Sequence, residues 1–169
     1  QMFLYTEGAN QKRQVRQKYG SALERAKEEL SAEYKKMISH LPEFIRLNIG
    51  GREVFICHGS PWNVQEYIYP NAEKKKFDEL FNFDPEIDLL VYGHTHYPLL
   101  EKRGKTILCN PGSVGQTRDR IPGACWASWN VTDHKVELRR EDYDTAALEK
   151  QCRVNDPENH YLREVLTRK

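Results

Sequence analysis

Three histidines stand where short apolar runs of the sequence end. His58 follows residues 54–57, and His94 and His96 follow residues 88–93, which read DLLVYG. Both runs are too short for typical helices and rich enough in valine, leucine and aromatic residues to form buried strands. Imidazole nitrogens bind manganese, iron, zinc, nickel and cobalt, and open α/β sheets place their sites at the carboxyl ends of strands. The pattern therefore predicts a shared metal site, with ordinary polar loop residues as the alternative.

The elements around these histidines must bring them together. Residues 44–49 and 52–57 flank a Gly-Gly pair, which is a strong signal for a β-hairpin, and the alternation in the first run predicts one solvent-exposed face. A short helix over about residues 72–81 separates the second strand from the run that ends at His94. A helix between two buried strands is a crossover unit, which places parallel strands side by side. His58 and His94 are therefore expected at the same end of one sheet.

A third strand and a charged loop complete the predicted site. Residues 105–109 return from a turn and end in Asn-Pro-Gly-Ser, a polar turn at residues 110–113. The charged segment over residues 116–120 could face an anionic substrate, because arginine pairs well with phosphate oxygens. A solvated loop with no role is the alternative for this segment.

The N-terminal quarter of the chain predicts helices. Apolar residues keep a spacing of three or four from about residue 12 to residue 40, which indicates helix in two pieces. Ser21 precedes a glutamate by three residues, which is the signature of a capping box. Ser31 is expected to cap a further short helix.

The C-terminal third predicts one more hairpin followed by helices. Strands over residues 125–131 and 135–140 flank a turn, and His134 at its tip is expected to face solvent. Residues 144–169 read as one or two short helices broken at an Asp-Pro pair. Because no internal repeat, linker or low-complexity segment interrupts the sequence, we expect one domain over residues 1–169.

Composition excludes several classes of protein. The 169 residues include 26 basic and 25 acidic side chains, a net charge of +1, so no general nucleic-acid or membrane binding is implied. No apolar stretch approaches membrane-spanning length. Four scattered cysteines without a CxxC pair are typical of buried, reduced thiols, so we expect a cytoplasmic protein.

Three motifs in combination resemble a known family. They are Cys-His-Gly-Ser-Pro at residues 57–61, Gly-His-Thr-His at residues 93–96 and Asn-Pro-Gly-Ser at residues 110–113. Together they resemble the calcineurin-like metallophosphoesterases, in particular the small bacterial and archaeal phosphodiesterases, over about residues 30–148. The resemblance implies an α/β fold with a two-sheet β-sandwich flanked by helices, the αββα arrangement of metallo-dependent phosphatases. It also implies hydrolysis of a phosphomonoester or phosphodiester by a hydroxide bound at a dinuclear metal centre.

The resemblance also implies roles for individual residues. His58 and His94 would bind one metal ion, and His96 would bind the other. Two divalent transition-metal ions are implied, manganese first, with iron, zinc, nickel and cobalt as alternatives. The substrate would be a small phosphoester. The implied substrate-binding positions are Asn110, Gly112, Ser113 and Arg118.

The sequence departs from the family pattern in its carboxylates. Members carry an Asp-x-His on the first strand, a Gly-Asp with the bridging aspartate, and a Gly-Asn-His followed by Asp or Glu that supplies the catalytic histidine. None of these motifs occurs here, and the first residue is not methionine. We therefore expect the C-terminal portion of a longer protein, with the catalytic histidine and bridging aspartate in its N-terminal part. The chain alone is expected to be inactive, because imidazoles lack the negative charge that holds two divalent cations together.

Two functions from different classes follow from these observations. The first is a metal-dependent phosphoesterase that is complete only with the missing motifs. The second is a phosphoesterase-like scaffold that has lost catalysis and binds protein partners, for which the aromatic residues Trp62, Tyr67 and Tyr69 are the surface to test. Retention of all three histidines favours the enzyme, and a homo-oligomer is compatible with either function.

Overall fold

The structure is a computed structural model that describes residues 9–167. The chain forms two compact units. Of the described residues, one unit comprises residues 9–42 and 144–167, and the other comprises residues 43–143. The assignment of a single domain stays a prediction. In chain order the elements are α1 (Ala9–Tyr19), α2 (Ala22–Glu29), α3 (Ala32–Ser39), β1 (Phe44–Ile49), β2 (Arg52–Cys57), α4 (Lys74–Phe81), β3 (Ile87–Val91), β4 (Pro98–Arg103), β5 (Thr106–Pro111), β6 (Ala124–Asn130), β7 (Lys135–Glu141), α5 (Ala146–Asn155) and α6 (Tyr161–Thr167).

The first unit contains the helices predicted at the two ends of the chain. The hydroxyl of Ser31 accepts a hydrogen bond of 3.3 Å from the Tyr34 N–H, which confirms the cap of α3. The predicted capping box at Ser21 is wrong. Its backbone is helical and its hydroxyl instead donates to Asp156 at 2.9 Å, while its N–H donates to the same carboxylate at 2.7 Å. A carboxylate distant in sequence therefore takes the role that the local pattern assigned to Glu24.

The second unit is built on a five-stranded mixed sheet with strand order β1-β2-β3-β5-β4. The hairpin β1–β2 is antiparallel, β2 is parallel to β3, and β3 is parallel to β5. The predicted Gly-Gly hairpin and the crossover through α4 are thus confirmed. The three central parallel strands are largely buried, which explains their nearly continuous apolar sequences.

Both faces of the three central strands are covered within the second unit. On one face, Phe77 and Leu80 of α4 pack with Leu90 and Tyr92. On the other face, Val136 of the two-stranded sheet β6–β7 packs against residues of β2, β3 and β5. The predicted α/β fold with two packed sheets and flanking helices is confirmed.

Two expectations about exposure are wrong in this unit. The edge strand β1 was expected to have one solvent-exposed face, but all six of its residues are exposed, so neither face of this strand is buried. His134 was expected to face solvent at a hairpin tip, yet it is 7% exposed. Its ring Nε2–H donates to the Lys105 carbonyl at 2.6 Å, because the β6–β7 turn folds against the turn between β4 and β5.

None of the helices between residues 9 and 167 combines the length and the apolar character that crossing a membrane requires.

Candidate metal centre

The carboxyl ends of three parallel strands meet at one edge of the sheet. β2 leads into His58, β3 leads into Gly93 and His94, and β5 leads into the turn at residues 111–113. The Gly93 N–H donates a hydrogen bond of 2.8 Å to the His58 carbonyl, so the first two loops are joined through their main chains. The sheet therefore brings His58 and His94 together, as the crossover predicted.

The two imidazoles are close enough to share one ion. The Nε2 atom of His58 lies 2.9 Å from the Nδ1 atom of His94. Two imidazoles that bind one ion at about 2.0–2.1 Å hold their nitrogens about 2.9–3.4 Å apart, depending on coordination geometry. Burial, and next to it the charges of His58 and Arg118, lower the pKa of His94, which favours the neutral, metal-binding form.

His96 is held by a contact of its own. Its Nδ1 atom lies 2.9 Å from the Gln116 carbonyl, which accepts the ring N–H. That hydrogen bond leaves the lone pair on Nε2, the tautomer that second-sphere carbonyls impose on metal-binding histidines. Burial lowers the pKa of His96 as well. His96 therefore has a lone pair on Nε2, and its role as a metal ligand stays a prediction.

These residues fit a metal ion only in part. Between residues 9 and 167, no three side chains among His, Cys, Asp and Glu form a group that could hold a metal ion. The structure brings His58 and His94 together but does not bring His96 into the same group. The pair fits two ligand positions of one ion, and the dinuclear centre stays a prediction.

The loop after His58 is wrapped closely around Gly59. A Cβ atom at Gly59 would lie 2.5 Å from the Asn63 carbonyl oxygen and 2.7 Å from the Val64 carbonyl oxygen. The Ser60 hydroxyl accepts a hydrogen bond of 3.0 Å from the Asn63 N–H, which fixes the same turn. Only glycine fits here, as the Gly that follows His58 in the sequence suggested.

Asn110 organises the loop that carries the other two histidines. Its amide donates to the Gly93 carbonyl at 3.2 Å and to the Thr95 hydroxyl at 2.8 Å, and its carbonyl accepts from the Gly112 N–H at 3.0 Å. Asn110 and Thr95 are both completely buried. Ser113 accepts a hydrogen bond of 3.0 Å from the Gln116 N–H. Substrate binding by Asn110, Gly112, Ser113 and Arg118 stays a prediction, and for Asn110 the observed contacts are all within the protein.

The charged segment presents one arginine to the histidines. The main-chain N–H of Arg118 donates to the His96 carbonyl at 3.3 Å. The guanidinium carbon of Arg118 lies 5.7 Å from the centre of the Tyr67 ring. Asp119 instead forms an ion pair with Arg140. Of the two arginines in this segment, Arg118 therefore has its side chain beside Tyr67, while the carboxylate of Asp119 is engaged elsewhere.

Sequence analysis missed two residues of this site. Tyr67 was considered as a partner surface, but its ring centre lies 4.0 Å from that of His94. Thr95 was not considered at all, although its place between two histidines, on a loop that must be fixed, was an available signal.

Comparison with known proteins identifies the family. The model of the calcineurin-like phosphoesterase superfamily domain matches residues 7–133, about three quarters of the chain. The chain belongs to the calcineurin-like phosphoesterase superfamily. The resemblance inferred from the three motifs of this superfamily member, which follow β2, β3 and β5, is therefore confirmed.

Curated relatives of this calcineurin-like phosphoesterase chain include one over most of its length. An uncharacterized protein of Methanocaldococcus jannaschii is 32% identical over 145 residues, which cover 75% of this chain and 57% of that protein. Phosphodiesterase YfcE of Escherichia coli is 45% identical over 49 residues, which cover 29% of this chain and 24% of that protein. The chain thus spans little more than half of the relative that it matches over its greater part.

Solved structures agree with the fold. A hypothetical protein of Pyrococcus horikoshii has a TM-score of 0.76 at 23% identity, over 88% of this chain and 59% of that chain. A metallophosphoesterase of Sphaerobacter thermophilus has a TM-score of 0.72 at 25% identity, over 87% of this chain and 67% of that chain. The arrangement of strands and helices is therefore that of the superfamily.

Proposed function

We propose that this chain contributes metal-binding histidines to the hydrolysis of a phosphomonoester or phosphodiester. The observation that carries the proposal is the 2.9 Å separation of His58 Nε2 and His94 Nδ1 at the carboxyl ends of parallel strands. Membership of the calcineurin-like phosphoesterase superfamily supports phosphoester hydrolysis as the general reaction.

His58 and His94 would hold one divalent ion, and His96 would hold a second through Nε2. Manganese is the first candidate, and iron, zinc, nickel and cobalt accept the same imidazole donors. When bound, such ions supply an activated nucleophile at neutral pH and neutralise charge on the phosphoryl group. The number of ions and their identity are part of this proposal.

Other residues of this chain position the loop that carries the histidines and orient their rings. The Gln116 carbonyl fixes the tautomer of His96, and the amide of Asn110 fixes the loop between the two histidines of that motif. Arg118 would bind a phosphate oxygen, because a guanidinium forms charge-assisted hydrogen bonds with phosphate. We infer that the chain alone binds one ion weakly and turns over substrate poorly, because no carboxylate accompanies the described histidines.

Metal binding by the purified chain tests the proposal. We expect elemental analysis and zinc titration to show binding that His58→Ala or His94→Ala weakens by at least about tenfold. His40→Ala is the matched control, because His40 is exposed at the end of α3 and its ring contacts the Lys36 carbonyl. Equal zinc affinity in the wild-type chain and the three variants would contradict a metal site at His58 and His94. Hydrolysis of bis(4-nitrophenyl) phosphate with added manganese then measures what activity this chain supports.

A catalytically incomplete scaffold is the second candidate. It is favoured by the lack of a carboxylate grouped with the histidines among residues 9–167, and by the exposed apolar side chains of β1, of which Phe44 is 54% exposed. The same titration separates the two functions. A wild-type chain that binds no zinc would favour the scaffold.

A further inference from the structure

Aromatic rings extend from the histidine pair across the protein surface. The ring of Tyr67 is centred 4.0 Å from the His94 imidazole, with the two planes at 47°. The ring of Tyr69 is nearly parallel to that of Tyr67, at 12°, with their centres 5.8 Å apart. Tyr97 closes the row with an edge-on contact to Tyr69 at 5.7 Å. The row begins at the candidate metal ligand and leads away from it.

The two parallel rings are open to solvent. Tyr67 is 46% exposed and Tyr69 is 38% exposed, in spite of their ring contacts. Tyr92, at the end of the neighbouring strand β3, is 1% exposed, which is the burial expected where an aromatic ring serves packing. Offset parallel rings present faces on which another planar group can stack. The exposure of Tyr67 and Tyr69 beside a reactive site therefore indicates a ligand contact.

A cation lies beside Tyr67. The Arg118 guanidinium carbon is 5.7 Å from the centre of the Tyr67 ring, and its charge acts on His94 and His96. The main-chain N–H of Arg118 donates to the His96 carbonyl. Between residues 9 and 167, no carboxylate forms an ion pair with Arg118, and the neighbouring Asp119 is paired with Arg140. The guanidinium is thus available to a phosphate bound beside the histidines and Tyr67.

We propose that the substrate is a phosphate ester with a planar aromatic substituent, which stacks on Tyr67 and Tyr69 while Arg118 binds its phosphate. The proposal rests on the proposed function, because it places the ester at the same histidines. Nucleobases and simple aryl groups share the required chemistry. A protein partner is the weaker alternative, because the two exposed rings adjoin a phosphate-binding cation and a metal-binding pair, which a protein surface does not require.

Ligand-detected NMR on the full chain tests this without measuring turnover. Saturation-transfer difference spectra would be recorded for adenosine 5′-monophosphate, phenyl phosphate and ribose 5-phosphate, with and without zinc. We expect the ring protons of the aromatic ligands to receive the strongest saturation. Because stacking of a base on an aromatic side chain contributes about 1–3 kcal/mol, the nucleotide should bind about 5- to 150-fold more tightly than ribose 5-phosphate. The ratio of nucleotide to phenyl phosphate distinguishes a nucleobase from an aryl ring.

Two variants test stacking on the aromatic rings and binding of the phosphate separately. Tyr67→Leu should abolish the preference for aromatic esters over ribose 5-phosphate, because it removes a stacking surface. The readout is the ratio of affinities, since the loss of the Tyr67 contacts with His94 and Arg118 acts on all three phosphate esters alike. Arg118→Gln should weaken all three phosphate esters. Trp126→Leu is the matched control, because Arg139 lies 5.4 Å from the ring of Trp126 on β6 and that ring is 38% exposed. It should change none of the affinities.

The outcomes separate this inference from the proposed function. If the nucleotide and ribose 5-phosphate bind equally and Arg118→Gln weakens both, the proposed stacking on Tyr67 and Tyr69 is wrong. The phosphoester site is then still supported. If the preference persists in Tyr67→Leu, the stacking surface lies elsewhere and the inference is wrong. If the wild-type chain binds zinc but transfers no saturation to any of the three ligands, this inference is wrong and the metal-binding histidines stand. If it also binds no zinc, both proposals fail. Thermal unfolding within about 2 °C of wild type confirms that each variant is folded.

Discussion

The amide of Asn110 donates a hydrogen bond of 2.8 Å to the hydroxyl of Thr95, and neither residue is accessible to solvent. The same amide also bonds the Gly93 carbonyl. The end of β5 is thereby attached to the loop in which His94 and His96 adopt left-handed backbone angles, with φ of 66° and 61°. Because non-glycine residues rarely adopt such angles, the loop depends on these bonds.

The first prediction concerns this buried amide. Asn110→Ala leaves the Thr95 hydroxyl and the Gly93 carbonyl without their partner, which should lower the free energy of unfolding by about 2–4 kcal/mol. Asn48→Ala is the matched control, because Asn48 also makes two side-chain hydrogen bonds, to Glu53 and Gly51, but is exposed. It should cost less than about 1 kcal/mol. Urea unfolding measures both, and equal losses would contradict the role given to Asn110.

The second prediction concerns Gly59. Gly59→Ala places a Cβ against backbone oxygens of Asn63 and Val64, which cannot rotate away, so the loop must shift at a cost of about 1–3 kcal/mol. Because this loop follows His58 directly, zinc affinity should fall as well. Gly115→Ala meets no atom within 4 Å and should change neither quantity. Thermal unfolding and zinc titration provide the measurements. An unchanged zinc affinity in Gly59→Ala would show that the loop does not position His58.

Local signals in the sequence predicted the local parts of the fold. The Gly-Gly pair predicted the β1–β2 hairpin, Ser31 predicted the cap of α3, and two apolar runs around a helix predicted a parallel pair. The errors at Ser21 and His134 have a different origin. Ser21 bonds Asp156, 135 residues away, and His134 bonds Lys105, 29 residues away. Patterns of residue spacing do not predict contacts between residues this far apart in the sequence.

The same distinction applies to the candidate site. The approach of His58 to His94 follows from sheet topology, which the order of strands and helix determines. The bond between His96 and the Gln116 carbonyl depends on the path of two irregular loops, so sequence periodicity gives no information about it. The position of Tyr67 against His94 has the same cause.

The third prediction follows from the burial of His134. His134→Ala removes the hydrogen bond to the Lys105 carbonyl and leaves that carbonyl unpaired, so the free energy of unfolding should fall by about 1–3 kcal/mol. Zinc affinity should stay unchanged. His160→Ala is the control, because His160 is exposed and contacts Arg163. Chemical denaturation and zinc titration together decide the role of His134, since a loss of zinc affinity would place it in the site.

The fourth prediction concerns the reactivity of the cysteines. Burial raises the pKa of Cys57 to about 12 and that of Cys109 to about 11. Since the thiolate is the reactive form, fewer than about one in a hundred of either thiol is ionised at pH 8. Cys152 is only partly buried and should react first with iodoacetamide in the folded protein. Peptide mass mapping before and after denaturation measures this order. Rapid native labelling of Cys57 would contradict its burial.

Arg118 and Gln116 join one segment to His96 at two points, through the His96 carbonyl and through its ring. Both contacts use main-chain atoms of the segment, the Arg118 N–H and the Gln116 carbonyl, so they do not depend on which side chains those positions carry. Side chains over residues 116–120 can therefore be exchanged without removing the bonds that hold His96, provided that the backbone path is kept.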